Sequence, residues 1–231
     1  MSKGIERITN VKICGIRDER TIRDMDGLPV HYIGFVFAPS KRQVTVEQAA
    51  HLHEAVRKGK NRSGQPPRTV GVFVNPSLEQ LAYVLDRVPL DAVQLHGQES
   101  PAFCREVGER FGVEVWRALS ADEPDDGGRD EAHSGPSRLD EYEGVVSTIL
   151  IDTAGGGTGR TFRWELIPSY QERAALLGIR LFVAGGLGPD NITELLSGYQ
   201  PDGVDVSSGV ETDGAKDSKK IAAFAERVNR S

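Results

Sequence analysis

Short apolar runs alternate along the chain with longer amphipathic stretches. The eight runs are rich in Val, Ile and Phe and mostly lack alternation with polar residues, which is typical of parallel strands covered on both faces. They span residues 11–14, 32–37, 69–74, 92–95, 114–118, 148–152, 181–184 and 203–206. Helical patterns between them include residues 45–58, 77–87, 100–111, 190–196 and 217–228. The pattern therefore predicts a repeated strand–helix unit.

Eight such units in strict alternation favour a closed parallel barrel. We expect residues 1–231 to form one α/β domain, a single-domain (β/α)8 or TIM barrel, whose usual length is about 250 residues. The alternative is an open, doubly wound sheet. It is less favoured because eight is the strand number of the barrel and no G-x-G-x-x-G follows the first run.

Two polar stretches interrupt this rhythm. Residues 61–67 form a polar loop before the third run. Residues 121–137 are acidic, rich in glycine and without periodicity, so we expect a loop to replace most of the fifth helix there. A short piece at residues 138–142 would be what remains of that helix.

Charge and cysteine content narrow the partners. A net charge of -6 argues against a nucleic-acid surface and against a polybasic membrane patch. Two cysteines do not form a disulfide framework, and the N-terminus lacks the apolar core of a signal peptide. We expect a cytoplasmic protein that binds neither nucleic acid nor membrane. We also expect a monomer, because the sequence gives no sign of a large exposed apolar patch.

Glycine and serine follow the last two predicted strands, in the strings AGGL at 184–187 and DVSSGV at 205–210. Glycines let the backbone approach an anion and hydroxyl groups add donors. In this fold the loops after strands 7 and 8 often bind phosphate. We therefore predict a sugar-phosphate site whose binding residues are Gly185, Gly186, Asp205, Ser207, Ser208 and Gly209.

Cys14 ends the first predicted strand and Asp152 ends the sixth. A free cysteine is most often a small buried hydrophobe, but Cys14 is followed by Gly15, which leaves its approach open. Asp152 is solvated, paired with a cation, or catalytic. Because strands 1 and 6 lie across the mouth of an eight-stranded barrel, the two side chains are candidates for an acid–base pair.

Other polar residues near the strand ends remain open to several interpretations. Arg42 is a surface cation, or a carboxylate clamp if it points into the mouth. His96 is a candidate metal ligand, base or hydrogen-bond donor, and we favour packing or hydrogen bonding without a metal. Glycines directly after Asp152 suggest a mobile lid, with Gly156 and Gly157 as substrate contacts.

Seven strings carry a family resemblance, and they fall in order over nearly the whole chain. KICG, QLHG, GGTG-x-x-F and DVSSGVE are specific in combination, and with them the chain resembles the phosphoribosylanthranilate isomerases. The strings are VKICGI at 11–16, GFVFAPSKR at 34–42, VGVFVN at 70–75, VQLHG at 93–97, ILIDTAGGGTGRTFRW at 149–164, FVAGGLGPDNI at 182–192 and DVSSGVETDGAKD at 205–217.

The resemblance implies an aldose–ketose isomerisation of tryptophan biosynthesis on a small-molecule substrate. N-(5-phosphoribosyl)anthranilate would undergo an Amadori rearrangement to 1-(2-carboxyphenylamino)-1-deoxyribulose 5-phosphate, with no cofactor or metal. By the same resemblance, Cys14 is the general base, Asp152 the general acid and Arg42 the contact to the anthranilate carboxylate, while the AGGL and DVSSG loops hold the phosphate.

This chemistry sets expectations for two pKa values. A general acid needs its proton, so the pKa of Asp152 should be raised when substrate is bound. A thiolate base favours a lowered pKa for Cys14, near a cation or a backbone dipole.

Related barrels and an inactive barrel are the competing hypotheses. Indoleglycerol-phosphate synthase and the histidine-pathway isomerase are related phosphate-binding barrels. The latter places an aspartate where Cys14 stands here, which counts against it. A non-catalytic barrel that binds phosphate metabolites is the alternative from another class, and the presence of both Cys14 and Asp152 weighs against it.

Overall fold

Eight parallel strands close into a barrel in the computed structural model, which describes residues 8–121, 135–152 and 163–230. Each strand pairs with its neighbours in the chain, and β1 pairs with β8. The strands are β1 Asn10–Cys14, β2 Tyr32–Val36, β3 Arg68–Phe73, β4 Ala92–Leu95, β5 Glu114–Ser120, β6 Thr148–Asp152, β7 Arg180–Val183 and β8 Gly203–Val206. The predicted closed (β/α)8 barrel is confirmed, and the open-sheet alternative is wrong.

Helices follow the strands around the outside. They are α1 Glu19–Asp24, α2 Val46–Lys58, α3 Leu78–Leu85, α4 Pro101–Phe111, α5 Ile167–Leu176, α6 Ile192–Gly198 and α7 Ser218–Arg230. Capping boxes at Thr45 and Ser77 fix the starts of α2 and α3, because each side chain accepts a backbone N–H that the helix leaves unpaired. Within the described ranges, no helix is long and apolar enough to cross a membrane.

Several short elements depart from the sequence pattern. A 3-10 helix at Gly135–Tyr142 contains the predicted remnant of the fifth helix, while residues 122–134 of the expected loop lie outside the described residues. Two more 3-10 helices are Trp164–Leu166 and Ser208–Val210. A small antiparallel hairpin, β9 Glu211–Thr212 and β10 Ala215–Lys216, follows β8 and was not predicted.

The barrel interior is filled by a separate apolar cluster. Alternate strand residues face inward. The rings of Tyr32 and Trp116 meet edge to face with centroids 4.9 Å apart, and those of Trp116 and Phe182 are tilted by 51° with centroids 4.8 Å apart. The cluster consists of Tyr32, Val70, Ala92, Trp116, Ala118, Leu150, Phe182 and Ala184. These side chains occupy the interior, and a cavity remains above them at the C-terminal ends of the strands.

Candidate active site

A cavity of about 460 Å³ lies at the C-terminal ends of the strands, above the interior cluster. Strand alternation explains which residues face it, since side chains two apart on a strand point the same way. Gln94 and His96 follow inward-facing Ala92 in this way. Six predicted site residues line this central cavity, namely Cys14, Arg42, His96, Asp152, Asp205 and Ser207.

The Cys14 thiol is 8% exposed at the end of β1. It lies directly over Gly34 of β2, where an added Cβ would approach the Cys14 Sγ to 2.8 Å. Burial raises the pKa of Cys14, and the positive charges of Lys12 and Lys216 only partly oppose this. Burial of the thiolate therefore works against the lowered pKa expected during turnover, and Lys12 and Lys216 are the cations that favour it.

A buried ion pair supports Cys14 from below. Lys12 is fully buried, and its Nζ lies 3.0 Å from Oδ2 of Asp205, its register partner on β8. Burial alone would lower the pKa of Lys12, but the charges of Asp205 and Cys14 have the larger opposite effect. The pKa of Lys12 is therefore raised. The sequence reasoning did not name Lys12, although a lysine inside an apolar strand run was a signal that could have identified it.

Asp152 ends β6 on another side of the cavity and is buried. Its Oδ2 lies 3.8 Å from Nε2 of His96, whose Nδ1 is 3.3 Å from the side-chain nitrogen of Gln94. Burial lowers the pKa of His96 although the Asp152 carboxylate opposes this, so the imidazole is neutral near pH 7. His96 therefore contacts Gln94 through a hydrogen bond and lies beside the Asp152 carboxylate. Among the described residues, no three His, Cys, Asp or Glu side chains form a group that could hold a metal ion.

A buried arginine fixes the main chain beside His96. Arg117 donates from Nη2 to the Gly97 carbonyl at 2.9 Å, and its Nη1 lies 3.3 Å from Oε2 of Glu99. The Glu99 carboxylate in turn accepts backbone N–H groups from Gly97 at 2.9 Å and Asn75 at 2.7 Å. Because each buried group is paired, the loop after β4 is held in one conformation.

Arg42 lines the central cavity from the loop after β2, as the clamp hypothesis requires. Its guanidinium is also held by the carboxylate of Glu211, at 2.6 Å from Nε to Oε1 and 3.0 Å from Nη2 to Oε2. The sequence reasoning missed Glu211, although a charged residue directly after the SSGV string was a possible signal.

The two glycine-rich loops pack against each other next to the cavity. Gly185 and Gly186 both have left-handed backbone conformations, with φ of 85° and 63°, which glycine adopts without strain. A Cβ on Gly209 would overlap the carbonyl oxygen of Leu187, so only glycine fits this crossing of the loops.

Only some of the predicted phosphate-binding residues line the central cavity. Ser207 and Asp205 line it, whereas Gly185, Gly186, Ser208 and Gly209 lie beside it. The Ser207 hydroxyl donates to the Cys14 carbonyl at 3.1 Å, which ties the loop after β8 to the end of β1. The predicted contacts Gly156 and Gly157, with the glycine-rich lid, lie outside the described residues.

A thiol and a carboxyl group thus line one cavity at the C-terminal face of a (β/α)8 barrel, beside two glycine-rich loops. This arrangement defines a barrel enzyme, because active sites of this fold are built at this face from strand ends and following loops.

Comparison with known proteins gives the family. The sequence profile of N-(5'phosphoribosyl)anthranilate (PRA) isomerase matches residues 11–227. The isomerase of Brevibacillus brevis is 47% identical over 225 residues, which cover 96% of this chain and 94% of that protein. The Bacillus subtilis isomerase is 37% identical over 221 residues, covering 95% of each. The chain belongs to the N-(5'-phosphoribosyl)anthranilate isomerase family.

Solved structures agree with this assignment. The crystal structure of phosphoribosyl anthranilate isomerase from Thermotoga maritima superposes with a TM-score of 0.77 at 32% identity. The match covers 96% of this chain and 100% of that chain. A structure of such an isomerase in complex with reduced 1-(o-carboxyphenylamino)-1-deoxyribulose 5-phosphate has a TM-score of 0.74 at 31% identity, with coverage of 96% and 100%.

Proposed function

We propose that this protein isomerises N-(5-phosphoribosyl)anthranilate to 1-(2-carboxyphenylamino)-1-deoxyribulose 5-phosphate, the reaction of the family to which it belongs. The observation that carries the proposal is that Cys14 of β1 and Asp152 of β6 line one cavity together with Arg42. A base, an acid and a cation for the ring carboxylate are thereby available to one bound molecule.

Asp152 acts first, as general acid. It gives its proton to the furanose oxygen, the bond from that oxygen to C1 breaks, and the nitrogen lone pair forms the C1–N double bond of a Schiff base. Asp152 is buried at the end of β6 beside His96 and lines the cavity that would hold the sugar.

Cys14 acts next, as general base. Its thiolate takes the proton from C2, and the electrons of that C–H bond move to form an enolamine, which tautomerises to the ketone. The proton gained by Cys14 and the one lost by Asp152 balance over the cycle, so the net reaction is an isomerisation. Lys12 and Lys216 are the positive charges that stabilise the thiolate.

The two anionic ends of the substrate bind on different loops. Arg42 contacts the anthranilate carboxylate, and the loops after β7 and β8 hold the phosphate through backbone N–H groups and serine hydroxyls. His96 contacts the substrate next to Asp152, and the substrate contacts expected of Gly156 and Gly157 stay predictions. The roles of Arg42 and the two phosphate loops follow from the family resemblance, and the cavity lining supports those of Arg42, His96 and Ser207.

We further propose that the chain acts as a single-domain monomer in the cytoplasm. Both cysteines are free and buried, which suits a reducing compartment. The large apolar side chains exposed in the described part are Ile8, Val74, Tyr83 and Leu176; Val74 and Tyr83 border one surface cavity, and Ile8 and Leu176 do not line it. Sedimentation velocity at micromolar concentration tests the monomer, and a dimer peak would contradict it.

The direct test is to follow the loss of phosphoribosylanthranilate fluorescence with the purified chain. We expect enzyme-dependent decay that is saturable in substrate and inhibited by the reduced product analogue. A chain that is stabilised by that analogue but never turns over substrate would instead support the non-catalytic barrel. Substrate loss without formation of the ketose product would contradict both.

A further inference from the structure

The hairpin that follows the phosphate loop carries two charged residues outside the central cavity. Glu211 and Lys216 face each other across β9 and β10. They border a separate cavity of about 340 Å³, which Gly15 and Gln43 also line. Asp213 and Gly214 at the turn both have positive φ, 52° and 76°, which fixes a tight two-residue connection. The hairpin therefore holds both charged side chains in fixed positions.

Glu211 is bound to Arg42 through one edge of the guanidinium. Nε and Nη2 donate to the two carboxylate oxygens, and the side chains are 12% exposed for Arg42 and 6% for Glu211. Burial alone would raise the pKa of Glu211, but hydrogen bonds from Arg42 and Lys216 and their charges lower it to about 2. The carboxylate is therefore ionised at any working pH of the protein, and the paired geometry persists.

The stem of Arg42 is fixed as well. It passes over the backbone of Gly15, where an added Cβ would come within 2.6 Å of the Arg42 Cδ. Gly15 has a φ of 79°, a conformation suited to glycine. Among the described residues, the Nη1 group of Arg42 makes no hydrogen bond, and Arg42 lines the central cavity while Glu211 does not.

Lys216 extends the contact from Glu211 to the catalytic strand. Its Nζ donates to Oε1 of Glu211 at 3.0 Å and to the Ser207 carbonyl at 2.8 Å. The Ser207 hydroxyl then donates to the Cys14 carbonyl. One carboxylate therefore joins two cations that would otherwise repel each other, and ties the carboxylate-binding arginine to the strand that carries the base.

We propose that Glu211 is a positioning residue: it fixes the Arg42 guanidinium so that its remaining edge faces the cavity and binds the ring carboxylate of the substrate. The inference rests on the proposed function, in which Arg42 makes that contact. Because the arginine is preorganised, little conformational freedom is lost when the substrate binds. Glu211 therefore contributes to affinity for the carboxylate end without touching the substrate.

The test compares two ligands in the Glu211→Gln variant, which keeps the size of the side chain and removes its charge. One ligand is the reduced product analogue, and the other is the same molecule without the ring carboxylate. We expect the dissociation constant of the first to rise about tenfold or more and that of the second to change less than twofold. KM for the substrate should rise by the same factor as the dissociation constant of the reduced product analogue, and kcat should change less.

Two further variants serve as controls. Exposed Glu172 in α5 is the matched position, and Glu172→Gln should leave both dissociation constants unchanged. In an Arg42→Met background, Glu211→Gln should have no additional effect on the carboxylate ligand, because Glu211 acts through Arg42. If Glu211→Gln does not fold, Glu211→Asp is judged by the same comparison, since its shorter side chain cannot reach both donors.

The outcomes separate the two proposals. Equal loss of affinity for both ligands, or tighter binding of the carboxylate ligand, would overturn the role of Glu211 while wild-type turnover left the proposed function intact. Absence of turnover by the wild-type chain would overturn the proposed function and this inference with it.

Discussion

At the scale of single residues, the environment of Cys14 is a balance between burial and charge. Burial raises the pKa of the thiol, Lys12 and Lys216 lower it, and Asp205 raises it. Lys216 sits on the hairpin, so it can be removed without breaking the buried pair between Lys12 and Asp205. We predict that Lys216→Met raises the pKa of Cys14 further, because the thiolate loses a stabilising cation.

Alkylation by iodoacetamide as a function of pH, followed by mass spectrometry of the Cys14 peptide, measures this change. The wild-type midpoint should lie above the ordinary cysteine value of about 8.5, and the variant midpoint higher still. Cys104 should react slowly, since it is buried and its pKa is raised to about 11. Lys219→Met, on the exposed start of α7, is the control, and an unchanged or lower midpoint in Lys216→Met would contradict the prediction.

The catalytic candidates Cys14 and Asp152 could be predicted from the sequence, because each ends a predicted strand and the strand ends of this fold face the active site. The partners of these residues could not be predicted, since Lys12 meets Asp205 and Arg42 meets Glu211 only after the chain closes the barrel. Arg42 and Glu211 are 169 positions apart in the sequence. The effect of burial on the Cys14 pKa could not be predicted for the same reason, because desolvation depends on packing by distant segments.

At the scale of elements, the crossing of the loops after β7 and β8 depends on one glycine. A Cβ at Gly209 would overlap the backbone of Leu187, so Gly209→Ala must separate the two loops. We predict a rise in KM for the phosphate-bearing substrate of about tenfold or more, because the backbone donors move apart.

Gly188 provides the matched control for this substitution. It lies in the same crossing, but a Cβ there would meet the Gly209 carbonyl oxygen only at 3.4 Å, an ordinary contact. Steady-state kinetics of Gly188→Ala should therefore resemble the wild type. Equal KM values for the two alanine variants would contradict a phosphate site at this crossing.

Strands and long helices were predictable because apolar periodicity and capping residues are local. The helices that were not named, α1 and α5, are weaker in pattern: α1 has six residues and α5 begins at an Ile-Pro pair. The β9–β10 hairpin escaped prediction because two residues per strand give no periodicity. Its Asp213-Gly214 turn was the available signal.

At the scale of the whole molecule, the site is assembled from most of the barrel. Residues that line the central cavity come from β1 to β6 and from β8 and their loops, so ligand binding should stabilise the barrel as one unit. We predict that the reduced product analogue at 100 times its dissociation constant raises stability by about 2.7 kcal/mol. For a domain of this size that is roughly 5–11 °C in Tm.

Scanning calorimetry checks this prediction together with the single domain. One transition should move as a whole, with calorimetric and van't Hoff enthalpies in agreement. Two transitions, of which the ligand shifts only one, would contradict a single cooperative domain.

The proposed reaction requires the acid–base pair of Cys14 and Asp152, and the kcat values of three proteins test this pair directly. Wild type, Cys14→Ala and Asp152→Asn are compared in the fluorescence assay for loss of phosphoribosylanthranilate. Each substitution is predicted to lower kcat by at least about 10²-fold, the usual contribution of a general acid or base, while the reduced product analogue still binds. Near-normal kcat in Cys14→Ala, with the fold intact, would contradict the account.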